Sequence, residues 1–332
     1  MAMKEKDTFL EIKKKLTGDV KKDIPYLFDE AQKFSENQEV FSKINQLIDQ
    51  LTKEASPEEV ARINIKEKNL LSEKQFDKLL LEIKSAINDT YYDEALERIE
   101  VLEKQVHKVM DSISSLAKEP NPEFQFCFSP MEFSLFSYYY NPEDRDIFLL
   151  PYDYVSLLVL KSQTNFYLHN YDEARSAMKK ALEYNPVSVD VHFLLADMDA
   201  AMNNYYSYHA DLDRAYTFLY KEQDFFKFYR LLAKYYQATD HNEQLISLLE
   251  DLGDEKGGNN LYHRFLLLPD KSKALLDEYK IPYDASDEVI KTCIHSAKDA
   301  LDKDDIKTYK YYYQILINFR NDRAISNLLH NN

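Results

Sequence analysis

Glycine is nearly missing from this chain: only Gly18, Gly253, Gly257 and Gly258 occur in 332 residues. A nucleotide-binding α/β protein needs glycines at its phosphate turns. None stands between Gly18 and Gly253, so dinucleotide-binding and P-loop architectures are excluded. A sheet-rich protein would also need more turn glycines than these. Cysteine is equally scarce. Cys127 and Cys293 stand far apart, in no Cys-x-x-Cys arrangement, which argues for a reducing compartment and against a disulfide framework. No apolar run approaches the ~20 residues that span a bilayer, and the lysines near the start precede no apolar signal region. The expectation is a cytoplasmic protein with no membrane partner.

Catalytic motifs are lacking as well. The histidines form neither a His-x-x-x-His nor a His-Glu-x-x-His pair, and there is no Gly-x-Ser-x-Gly elbow. Cys127 has no neighbouring His to activate it. His169 and His241 read as solvent-facing turn residues. Asp172-Glu173 and Asp304-Asp305 sit at helix starts, where the helix dipole favours acids without any catalytic role. No enzyme activity, cofactor or metal is expected. The formal charge is −16, from 58 acidic and 42 basic residues, and such a surface repels phosphate backbones. Nucleic acid is therefore not an expected partner. The lysine excess of the first 22 residues reads as a solvated helix face, with an interaction arm as the alternative.

What remains is helical periodicity over a 45% apolar composition. Residues 1–118 read as an N-terminal helical region, with stripes at Phe9, Ile12 and Leu16 and at Leu27, Phe28, Ala31 and Phe34. Ser56-Pro57-Glu58-Glu59 reads as a capped helix start. Residues 119–151 form a connector holding five of the ten prolines and many aromatics, and Phe124 to Phe128 alternates as an extended segment does. So many rings must lie against something: the helices, a second copy, or a groove they cover. Residues 152–332 return to the helical period.

The pattern Tyr171-Asp172-Glu173-Ala174, then Ala181 and Pro186, marks the second helix of a pair. Ala174 and Ala181 fall two turns apart on one face, where small side chains let another helix approach, and Pro186 ends the helix. Tyr92-Asp93-Glu94-Ala95 repeats the tetrapeptide. This spacing resembles the tetratricopeptide repeat family, a 34-residue helix–turn–helix unit. A repeat starting at Val155 places Leu158, Ser162, Ala174, Met178, Ala181 and Pro186 where that family has them. Copies starting at Val189 and Phe226 diverge, with Tyr208, Leu245 and Leu252 at small-residue positions, and a further copy runs from Phe76 to Met110. The resemblance implies an all-α fold, a right-handed superhelix of antiparallel helix hairpins whose first helices line a concave groove.

By the same resemblance, the groove-facing positions are Ser156, Val159, Gln163, Phe166 and Tyr167 in the first copy and Asp190, Phe193 and Asp197 in the second. The third copy offers Lys227, Arg230 and Lys234, which share one helix face in an acidic protein. Two readings stand. The basic residues pair with Asp190 and Asp197 as a surface ion network. Alternatively, Lys227, Arg230 and Lys234 receive an acidic or carboxylate group of an extended peptide, with Phe166, Tyr167, Phe193 and Asp197 completing the site. The family's chaperone-tail clamp is not expected, because Val159 and Gln163 replace its Lys and Asn. The expected function is a scaffold binding a protein or peptide partner. The alternative is a peptide-sensing regulator whose repeats control the N-terminal helices.

Overall fold

A computed structural model describes residues 2–34, 37–54, 71–114, 123–126, 129–140, 147–255, 261–320 and 322–330. The Ser56–Glu59 helix start and Cys127 lie outside them. The protein is mostly helical, with seventeen helices among the described residues and a single two-stranded sheet. Contacts group the chain into two compact units, residues 1–126 with 146–174, and residues 127–145 with 175–332.

The first unit opens with α1 (Ala2–Lys14), α2 (Val20–Lys33) and α3 (Gln38–Glu54). Their apolar stripes meet in a small core of Ile12, Ile24, Leu27, Ala31, Val40, Ile44 and Ile48. Asp23 joins α1 to α2: its buried carboxylate accepts the backbone N–H groups of Thr17 (2.7 Å) and Gly18 (2.8 Å), with Gly18 at φ 79°. Next come α4 (Glu73–Asn88), opened by a Ser72–Gln75 capping box, and α5 (Tyr92–Ser114). Strands β1 (Glu123–Gln125) and β2 (Ile147–Leu149) pair in parallel, with Phe124 opposite Phe148. Helix α7 (Tyr154–Tyr167) packs on both α4 and α5. Glu103 of α5 ties the latter contact, accepting from Lys161 at 2.6 Å. The Phe76 and Tyr152 rings stack at 4.6 Å.

In the second unit, α6 (Pro130–Tyr139) and the greater part of α8 (Tyr171–Tyr184) join α9 (Val189–Ala201) through α17 (Asp322–His330). Between them run α10 (Tyr205–Thr217), α11 (Glu222–Ala238), α12 (Glu243–Leu252), α13 (Leu261–Leu267), α14 (Asp270–Glu278), α15 (Asp287–Asp302) and α16 (Ile306–Leu316). Sequence neighbours pack together, α9 on α10, α11 on α12, α15 on α16. Helix α6 corrects the expectation of an extended connector. Ser129 caps it, Pro130 stands in its first turn, and Glu132 is the third helical residue. It packs on α15, with Met131 Sδ 3.6 Å from Cys293 Sγ, and its Ser134 Oγ lies 2.6 Å from the hydroxyl of Tyr312 on α16.

One turn recurs in both units. After α4, α7, α9, α11 and α15 a single residue adopts φ between 55° and 65°: Thr90, His169, Asn203, Asp240 and Asp304. The next residue's N–H then reaches back to the carbonyl five residues earlier, as Tyr91 does to Ala86, Asn170 to Asn165, Asn204 to Asp199 and Asp305 to Ala300, each at 2.8 Å. This is the Schellman closure, which usually recruits glycine. Here side-chain-bearing residues bear the left-handed strain, and His169 and Asn203 stand one repeat period apart. Lys280 makes the same turn after α14.

The β-branched Thr90 is the costliest occupant of that conformation, whereas Asn tolerates it. Thr90→Gly is expected to stabilise the protein by about 0.5–1 kcal/mol, after the greater chain entropy of glycine is set against the relieved strain. Asn203→Gly should change it by less. Urea unfolding midpoints of the two variants check the ordering.

Candidate functional site

Helices α4 and α7 diverge to leave an open cleft of about 420 Å³ in the first unit. Its α7 wall carries Ser156, Val159 and Gln163, three of the groove positions read from the sequence. The α4 wall carries Asp77, Leu80 and Lys84, which stand the same distances before Tyr92 as Ser156, Val159 and Gln163 do before Tyr171. Equivalent positions of two helix pairs therefore face one space. The floor is apolar: Leu80 and Leu160 are each 8% exposed, whereas Leu81 at the edge is 68% exposed.

The polar groups sit at the rim. Asp153 caps α7, accepting the Ser156 N–H at 2.8 Å. Burial raises its carboxyl above the ordinary range, the nearby Asp77 charge adds to the shift, and the Ser156 hydrogen bonds oppose it. The Asp77 and Lys84 side chains are exposed and make no ion pair or hydrogen bond with the described residues. Sequence reading passed over all the α4 residues. The signal was present in the register of Tyr92 with Tyr171, but the α4 copy was followed through its small and apolar packing residues alone.

Phe166 and Tyr167, also in this unit, pack at the end of α7. Tyr167 is half exposed and stacks on Tyr92 at 5.2 Å, while Phe166 meets Tyr171 edge-on at 5.3 Å. The other expected site residues lie in the second unit. Phe193 is fully buried, and the Lys227 ammonium sits 4.9 Å over its ring. It is a core residue with no face for a ligand. Lys227 also pairs with Asp190 at 3.8 Å. Arg230 turns instead to Glu255, at 3.3 Å. It crosses Gly253, where an added Cβ would lie 2.7 Å from the Arg230 Cγ. Lys234 and Asp197 are exposed, and neither makes an ion pair among the described residues. The basic stripe is thus partly engaged as a surface ion network.

The second unit also buries a charged group that the sequence did not reveal. Arg175 of α8 makes a two-pronged contact with Asp199 of α9, whose side chain is 1% exposed. Asp211 of α10 is buried beside it, with Arg214 at 3.8 Å. Burial, then the Asp199 charge and a hydrogen bond to it, push the Asp211 carboxyl up to about 6. Below about pH 6 Asp211 therefore holds its proton and donates it to Asp199, and above that pH it ionises.

No family model, curated protein or solved structure matches the chain. Among the described residues, no helix is long and apolar enough to cross a membrane.

Phe193→Ala should cost about 3–5 kcal/mol of stability, as truncations of buried aromatics do. Lys227→Ala should cost less than about 1.5 kcal/mol, and urea unfolding of both variants tests the assignment of Phe193 to the core. A second prediction concerns pH. The folded pKa of Asp211 lies above its unfolded value, so its contribution is fully present below about pH 4 and declines as pH rises through 6. Asp211→Asn keeps an N–H donor for Asp199 without the titrating proton. It should stabilise the protein by on the order of 1–2 kcal/mol at pH 7 and by almost nothing at pH 4. Unfolding midpoints at the two pH values read the difference.

Proposed function

We propose that the chain is a divergent tetratricopeptide-like repeat protein that binds an extended peptide segment of a protein partner. In this reading its helix pairs stack as antiparallel hairpins in a right-handed superhelix, and the first helices carry recognition. One observation carries the reading: equivalent positions of two pairs, Asp77, Leu80 and Lys84 against Ser156, Val159 and Gln163, line the same cleft. Its volume falls in the range of ligand-sized sites, and its apolar floor with few polar groups suits a peptide side chain with its flanking backbone. The exposed Leu81 supports this, because a large aliphatic side chain at the edge of a cleft gains from being covered.

A displayed random-peptide library selected on the full chain tests the proposal. The wild type should enrich a convergent motif, and the Leu81→Glu/Val159→Glu double variant should lose it while keeping its helical circular dichroism. Both positions are exposed or half exposed, so the variant is expected to fold. Absence of any convergent motif, or the same motif on the variant, would overturn the reading.

A further inference from the structure

The cleft between α4 and α7 has opposite charges at its two ends. Asp77 and Lys84 occupy one face of α4, seven residues apart, a separation of about 10 Å along a helix. Asp153 and Ser156 lie at the Asp77 end, since Asp153 feels the Asp77 charge directly. Gln163 is at the far end of the α7 wall, two turns beyond Ser156. Between the ends run Leu80, Leu81, Val159 and Leu160. Carboxylates therefore mark one end, an ammonium and an amide mark the other, and aliphatic carbon fills the interval.

Two features make this more than scattered surface charge. Among the described residues neither Asp77 nor Lys84 has an ion-pair partner, whereas Lys78 on the same helix pairs with Glu82 at 3.6 Å. Asp153 is held half buried by its capping role, so a cation placed there meets two carboxylates, one of them partly withdrawn from water.

Resting on the peptide-binding reading, we infer that the occupant is a dipolar peptide, with a basic side chain at the Asp77–Asp153 end, an aliphatic side chain over Leu80 and Val159, and an acidic side chain at Lys84. In an extended chain alternate side chains share a face at about 3.3 Å per residue, so the three groups belong to positions i, i+2 and i+4. The inference concerns charge order in the cleft, and it places no demand on the basic stripe of the second unit.

Four capped, fluorescently labelled peptides test it by anisotropy on the full chain. They share a central Ser-Leu-Ser and carry Lys and Glu, Lys and Lys, Glu and Glu, or Gln and Gln at the flanking positions. The Lys/Glu peptide should bind the wild type about ten-fold tighter than the other three, and the margin should shrink in about 1 M salt. Asp77→Lys, an exposed substitution, should move the preference to the Glu/Glu peptide. Equal binding of all four peptides, or an unmoved preference in Asp77→Lys, would overturn the dipolar inference and leave the peptide reading standing. No binding by any of the four would likewise overturn the dipolar inference, and the library selection decides the peptide reading.

Discussion

The residue held at positive φ after the first helix of each pair is the constraint on which the rest of the architecture depends. Without it, the carbonyls at the end of that helix would lack partners, and the chain would leave the helix in an undefined direction. With it, the return hydrogen bond to the fifth residue back sets where the second helix begins. The small residues Ala95 and Ala174 then come at the same distance from the turn, and both are fully buried. The scarcity of glycine excluded nucleotide-binding folds at the sequence level. At the structural level it means that Thr90, His169, Asn203, Asp240 and Asp304 adopt the left-handed conformation under strain. Tertiary packing on both sides of each turn is what over-determines them.

Much of the fold was legible because helix packing leaves residue-size signatures. Ala174 and Ala181 marked one second helix and Tyr92 to Ala95 marked another, and all three alanines are buried where close helix approach was expected. Divergent positions obey the same logic by a different route. Tyr208 stands where a small residue was expected, yet it is 1% exposed, its hydroxyl donates to the Leu231 carbonyl at 2.7 Å, and its ring stacks on Tyr235. A large ring can occupy such a position when its polar tip reaches a backbone acceptor. Size alone does not report that partner, which lies on another helix.

The segment around α6 shows where composition misleads. Five prolines and a dense set of aromatics suggested a connector, but Ser129-Pro130-Met131-Glu132 has the same form as Ser56-Pro57-Glu58-Glu59, which had been read as a helix start. Proline is a breaker only within a helix; in the first turn its fixed φ favours entry. Part of α6 finds its cover in the second unit, where Phe136 and Met131 are buried and Ser129 shares a 2.8 Å hydrogen bond with Tyr220, while Phe133 and Tyr138 stay exposed. Contacts so distant in sequence leave no local periodicity to read. For the same reason the two units interleave along the chain, whereas a composition-based division is necessarily linear.

Charge composition does not report which cations are already engaged within the protein. A basic stripe in an acidic chain draws notice, but Lys227 lies over Phe193 beside Asp190, and Arg230 folds across Gly253 to Glu255. Such contacts are individually weak, yet they give the cations intramolecular company that a ligand would have to displace. The cleft of the first unit differs in kind. Its Asp77 and Lys84 have no such company among the described residues, and its exposed Leu81 adjoins a floor of buried aliphatic residues. In the proposed reading, recognition falls to positions that packing leaves unspent. The turn geometry puts the cleft-lining residues of α4 and α7 in one register, each set at the same distances before the helix that follows its left-handed turn.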